Sequence, residues 1–173
     1  MGMIQAPDQT RTERLEKMIQ QYEKDLLRIC CFYLRDWSLA EDIVQEVFLK
    51  AYRHMDAFRG ECNEKTWLIK IAMNCCRDYR RSSWYRYIDK RISLDVLPVS
   101  TPPPSDEHIA LTMAIMRLRS KYLEVVLLYF YQGYSMKEIA EVLGITEAAV
   151  SSRISRAKQK LKVDLEGDEG DEK

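Results

Sequence analysis

Apolar positions along this chain recur at intervals of three and four residues and hardly anywhere at every second residue. That period predicts helices over 11–34, 38–55, 63–84, 107–119, 121–132, 135–143 and 146–163, and no sheet. On the second of these, Ile43, Val44, Val47, Phe48 and Ala51 share one face, with Asp42, Gln45, Glu46, Leu49 and Arg53 opposite. On the third, Leu68, Ile71, Ala72, Cys75 and Tyr79 form the apolar face. Thr66, Lys70, Met73, Asn74, Arg77, Arg80 and Arg81 form the other, and Trp67 lies on the shoulder. The helical period stops at ISLDVLPVSTPPPSD, residues 92–106, which holds four of the five prolines. Extended at about 3.1 Å per residue, this stretch reaches roughly 45 Å. The expected fold is all-α: two small helical domains, 11–91 and 107–163, joined by a Pro-rich linker at 92–106 and followed by a solvated acidic tail at 164–173.

The second domain carries the sharpest local signals. In SMKEIAEVLGITEAAVSSRISRAKQKLK, residues 135–162, Ser135 and Glu138 have capping-box spacing, and Tyr134 and Ile139 have staple spacing. Gly144 supplies a left-handed C-terminal cap, and Thr146 caps the next helix. Two helices across so short a turn predict a helix-turn-helix. On the second helix Val150, Ile154, Ala157 and Leu161 face inward, while Ala148, Ser152, Ser155 and Gln159 face away between rows of Arg and Lys. Such a small-residue ridge between cationic rows fits a major groove, with the rows on phosphates. The pattern does not separate a repressor from a polymerase subunit.

Charge sharpens this picture. The chain of 173 residues has no formal net charge, so a uniformly basic coat is excluded. The balance is instead local: +6 over 65–91, +4 over 147–162, −4 over 36–46 and −5 over 164–173. Two cationic segments and an anionic helix suggest two polyanion contacts and a separate protein contact. Leu49, framed by acids, suits a helix-in-groove or helix-on-helix contact, and reads equally as one of the single exposed leucines common on protein surfaces. In the segment DAFRGECNEKTWLIKIAMNCCRDYRRSSWYRY, cations interleave with aromatics and amides, which suits single-stranded nucleic acid; Trp67 reads equally well as a core residue. The five cysteines (Cys30, Cys31, Cys62, Cys75, Cys76) make neither a disulfide framework nor a metal motif, and neither His54 nor His108 has a partner at ligand spacing. No cofactor and no metal are expected. No nucleophile–histidine constellation, phosphate-cradling Gly loop or paired buried carboxylates point to an enzyme. No stretch has the length of a membrane span and the first residues lack a signal-peptide core, so a cytoplasmic location is expected.

Taken in order, EDIVQEVFLKAY, the FRGE loop, KTWLIKIAMN with its following RDYRR, and the helix-turn-helix at 135–162 resemble the bacterial RNA polymerase sigma factors of the extracytoplasmic-function group. The resemblance covers roughly residues 15–163. It implies that Asp42, Gln45, Glu46 and Leu49 dock on core RNA polymerase. Glu61, Cys62, Asn63, Trp67, Asn74, Arg77, Arg80 and Arg81 would recognise and melt the minus-ten promoter element. Ser151, Ser152, Arg153 and Arg156 would read the minus-thirty-five element. Promoter DNA and core polymerase are the implied partners, with an anti-sigma protein as a further one. Three places depart from the family pattern: Glu64 stands where an aromatic is usual, Leu118-Arg119 where Leu-Pro is usual, and Ser151 where relatives often carry a cation. The rival readings are a stand-alone helix-turn-helix regulator, which predicts a dimer that binds duplex without polymerase, and an enzyme using Cys62.

Overall fold

The computed structural model describes residues 9–82 and 105–168. Helix α1 spans Gln9–Leu34, α2 spans Trp37–His54 and α3 spans Glu64–Arg81. A 3-10 turn, Met55–Ala57, extends α2. In the second half α4 spans Asp106–Arg117, and α5 spans Ser120–Val126 and continues as a π-helical turn, Leu127–Tyr131. Helix α6 spans Met136–Leu143 and α7 spans Glu147–Asp168. No strand occurs among the described residues. The expected helices are all present, with ends within five residues of those expected.

The helix boundaries follow from side-chain caps. Asp36 accepts from the backbone N–H of Leu39 at 2.9 Å, and Asn63 from that of Thr66 at 2.7 Å. Ser105 caps α4. The capping box at the start of α6 is complete: Ser135 Oγ accepts from the Glu138 N–H, and the Glu138 carboxylate accepts from the Ser135 N–H. These bonds hold the Glu138 carboxyl below its usual range, led by the one from the Ser135 backbone. A depressed folded pKa means that this contribution is present above the carboxylate's unfolded value and is lost as pH falls through the folded one. Gly144, at φ +66°, closes α6 in the left-handed region, where it needs no Cβ. Thr146 Oγ1 accepts from Ala149 N–H at 3.2 Å to start α7. Ser135→Ala is expected to cost about 1 kcal/mol, read as a lower urea midpoint at unchanged slope.

Helices α1–α3 form one bundle and α4–α7 another, but their buried side chains are continuous across the two. Helix α3 packs on α6 as well as on α1 and α2. This corrects the face assigned to α3. Thr66 and Met73, placed on its polar side, are buried, and so are Ile69 and Cys76. A period in sequence registers one apolar stripe; it does not register that a second body covers the opposite shoulder.

The segment 164–173, expected to be a solvated tail, is helical as far as Asp168. Arg117 reaches Asp164 at 3.4 Å and Lys162 reaches Glu166 at 3.6 Å, both extending the last turns. Residues 169–173 and most of the 92–106 linker lie outside the described residues. So do the end of the expected third helix and the aromatic cluster at Trp84, Tyr85 and Tyr87.

Candidate nucleic-acid interface

On the first half, the loop between the 3-10 turn and α3 presents Glu61 and Asn63 to solvent, with Cys62 half-buried. Asn63 spends its amide oxygen on the Thr66 cap, so only its amino group is left to meet an external acceptor. Phe58 and Trp67 stack at 4.7 Å between ring centroids with 24° between planes. Arg14 lies over Phe58 at 5.7 Å and pairs with Glu64 at 2.7 and 3.0 Å. Glu64, the departure from the usual aromatic, therefore ties the first turn of α3 to α1. Trp67 is half-buried beside it, packed against the core. Along α3, Asn74 and Arg81 are exposed, and Arg77 and Arg80 are half-buried.

On the second half, Ser151, Ser152 and Arg156 project from α7 into solvent, while Arg153 is half-buried. Val150, Ile154 and Ala157 are buried beneath them, which fixes the rotation of the helix. Lys158 lies over the Phe130 ring at 5.5 Å and Lys160 over Tyr122 at 5.7 Å. Arg117, Arg119, Arg156 and Lys160 line a groove of about 760 Å³ between α4 and α7, a cationic trough of the kind that holds a phosphate backbone.

The acidic face of α2 is exposed at Asp42, Gln45, Glu46 and Leu49. Leu49 stands out at 56% exposure. It borders a groove of about 540 Å³ between α1 and α2, floored by Leu15, Ile19, Leu27 and Phe48 and rimmed by Glu23, Glu41 and Asp42.

A third cluster was not anticipated. Glu124 of α5 is 4% exposed and sits where the two bundles meet. Arg77 of α3 clamps it with two parallel bonds, each 2.9 Å, and Tyr33 of α1 donates its hydroxyl at 3.0 Å. Arg153 of α7 approaches the same carboxylate at 3.8 Å. Burial, reinforced by the Glu124 charge, pushes the Tyr33 phenol well above its ordinary range. The Glu124 bond raises the Arg77 guanidinium. Nearby, Thr66 donates to the Tyr134 hydroxyl at 3.3 Å, another bond between the bundles. The signal in the sequence was a single acid inside the apolar run YLEVVLLYFY, residues 122–131.

Four cysteines, Cys30, Cys31, Cys75 and Cys76, are buried, and Cys62 is half-buried. Burial pushes Cys31 up to about 11 and raises Cys62 as well, so neither is an activated thiol. No group of three or more metal-ligating side chains comes together among the described residues.

Comparison with known proteins follows these divisions. The family described as Sigma-70 region 2 matches residues 18–86, and Sigma-70 region 4 matches residues 108–161. The ECF RNA polymerase sigma factor SigM of Bacillus subtilis is 30% identical over 155 residues, covering 86% of this chain and 93% of that one. The chain belongs to the ECF sigma factors. It is thereby a transcription initiation factor of the promoter-directing kind, and a probable sigma factor, RfaY, of Xanthomonas campestris is also similar at 27% identity. The alignment spans 86% of this chain but 40% of RfaY. Among solved structures, CnrH in complex with the cytosolic domain of CnrY is similar at a TM-score of 0.69 and 25% identity, over 91% of this sigma factor and 90% of CnrH. The sigma factor RpoE of Bartonella quintana, in complex with the anti-sigma factor NepR, shares the fold at a TM-score of 0.73 and 22% identity, over 89% and 98%. No helix among the described residues is long and apolar enough to cross a membrane.

Proposed function

We propose that this sigma factor works as a dissociable specificity subunit whose parts divide the labour by helix. Asp42, Gln45, Glu46 and Leu49 on α2 dock on core RNA polymerase. Glu61, Cys62, Asn63, Trp67, Asn74, Arg77, Arg80 and Arg81 serve the minus-ten element, and Ser151, Ser152, Arg153 and Arg156 the minus-thirty-five element. The observation that carries this reading is the separation of the surfaces: an exposed leucine among acids on one helix, and cations on two others that belong to different bundles. Polymerase supplies the catalytic chemistry, and the chain itself supplies none. Opening the duplex costs a few kcal/mol per unstacked base. Displaced bases held at the 59–63 loop, with phosphates on the α3 cations, offset that cost. The stacked, half-buried Phe58–Trp67 pair favours a supporting role for Trp67 beneath the loop over direct base stacking. The protein acts in the cytoplasm, and an anti-sigma protein, of the kind RpoE of Bartonella quintana is seen with, is a further partner.

The test is co-purification with core polymerase followed by run-off transcription from a pool of genomic promoter fragments. Specific start sites that need the added chain support the reading; tight duplex binding by a dimer without polymerase would favour a stand-alone regulator. Within that reading Arg156→Ala is expected to weaken the upstream element by about 1–3 kcal/mol if the guanidinium meets a base edge. Equal loss on all duplexes, with a shallower salt dependence, would make it a phosphate contact.

A further inference from the structure

We propose that Glu124 is an internal competitor for promoter DNA: a buried carboxylate that occupies Arg77 of the minus-ten surface and, with Tyr33, latches the two bundles shut. The inference rests on the assignment of Arg77 and Arg153 to the two promoter elements. Arg77 gives the two parallel donors of its Nε/Nη2 edge to Glu124, at 2.9 Å each, so that edge is closed to a phosphate or a base. Arg153, from the same bundle as Glu124, approaches the same carboxylate at 3.8 Å. A carboxylate and a phosphate are read by the same guanidinium geometry, which is why one can stand in for the other. Tyr33 donates a third bond from α1, so a single side chain of α5 ties both α1 and α3 across the seam. The groove there, about 580 Å³, is lined further by Arg80, Arg81 and Lys121, so Glu124 faces an excess of cations.

Distance makes the closed arrangement incompatible with simultaneous use of both elements. Their names place them 25 base pairs apart, about 85 Å of straight duplex at roughly 3.4 Å per step. Two arginines that share one carboxylate lie at one end of that span. Fifteen residues, 92–106, join the bundles in the sequence, enough chain for them to part without unfolding either. Promoter engagement on polymerase therefore requires the Arg77 and Tyr33 contacts with Glu124 to break. The population held closed lowers the apparent affinity of the free protein for DNA in proportion. Glu124 is a positioning residue here, since it touches no DNA in either state.

The test uses the full chain, with Glu124→Gln and Tyr33→Phe as variants. Gln keeps the shape of the side chain but removes the charge that holds Arg77 across the seam. Small-angle scattering is expected to show the radius of gyration of Glu124→Gln rising by about 5 Å as the bundles part. Its affinity for a short random-sequence duplex at low salt is expected to tighten by roughly tenfold, the factor for releasing a state that is about nine-tenths closed. Tyr33→Phe moves both readouts the same way by less, and circular dichroism checks that each variant keeps its helices. If Glu124→Gln does not fold, Tyr33→Phe carries the test by itself. Unchanged size, or opening with no gain in duplex affinity, overturns the latch. Run-off transcription by the wild-type chain is scored separately: its failure removes the promoter assignment, whereas its success beside unchanged variants removes the latch alone.

Discussion

Leu49→Asp is expected to weaken binding to core RNA polymerase by about 2 kcal/mol or more, roughly 30-fold, while leaving the fold intact. Leu49 is 56% exposed, so its removal takes little out of the core and adds no buried charge. Its neighbours Asp42, Gln45 and Glu46 are also exposed and form a polar frame around one apolar side chain. That is the arrangement of an interface anchor, in which a central apolar group carries most of the energy and the charged rim sets orientation. Placing a carboxylate at the centre removes the apolar contact and asks the partner to bury a charge without a counter-ion. The measurement is equilibrium binding to core enzyme, paired with thermal melting of the free variant. A variant that melts like wild type and binds like wild type removes the docking role from this face of α2. Glu46→Lys is the electrostatic companion, and it also breaks the 2.7 Å pair between Glu46 and Lys50.

Leu68→Ala is expected to destabilise the protein by about 2–5 kcal/mol, a large share of the roughly 5–15 kcal/mol that holds a typical domain together. Leu68 is 0% exposed on α3, the helix that packs against both its own bundle and α6. A cavity at that position has little room to collapse, because helices close on it from several sides. Urea unfolding reads the loss as a lower midpoint. If the two bundles unfold as one unit, the transition stays single and simply moves. If they unfold separately, the first bundle's transition moves and the second stays in place. A loss below about 1 kcal/mol would mean that α3 is not packed as described.

Much of the molecule was readable along the chain, for local reasons. The capping box at Ser135 and Glu138, the left-handed Gly144 and the Thr146 cap each involve residues within four positions of one another. The same holds for the outward face of α2, where every predicted core residue is buried and every predicted contact residue is exposed. Short-range hydrogen bonds and the 3.6-residue period are written in neighbouring letters. The buried α7 positions followed the same rule, and so did the exposure of Ser152 and Arg156.

Contacts between residues far apart in the chain were not readable in this way. Arg14 pairs with Glu64 across 50 positions, so the residue that departs from the family pattern braces α3 against α1. Thr66 and Met73 were assigned to a solvated face because their own helix offers no hint that α6 lies over them. Arg77 and Arg153 read from the sequence as two independent cations, one per domain. Only the folded chain brings both to Glu124, 47 and 29 residues away from it. Local propensity and periodicity decide which helices form and which stripe each one buries, since those depend on residues a few positions apart. Which charges meet across the seam depends on how two finished bundles pack, and that is settled by shape and burial over the whole molecule.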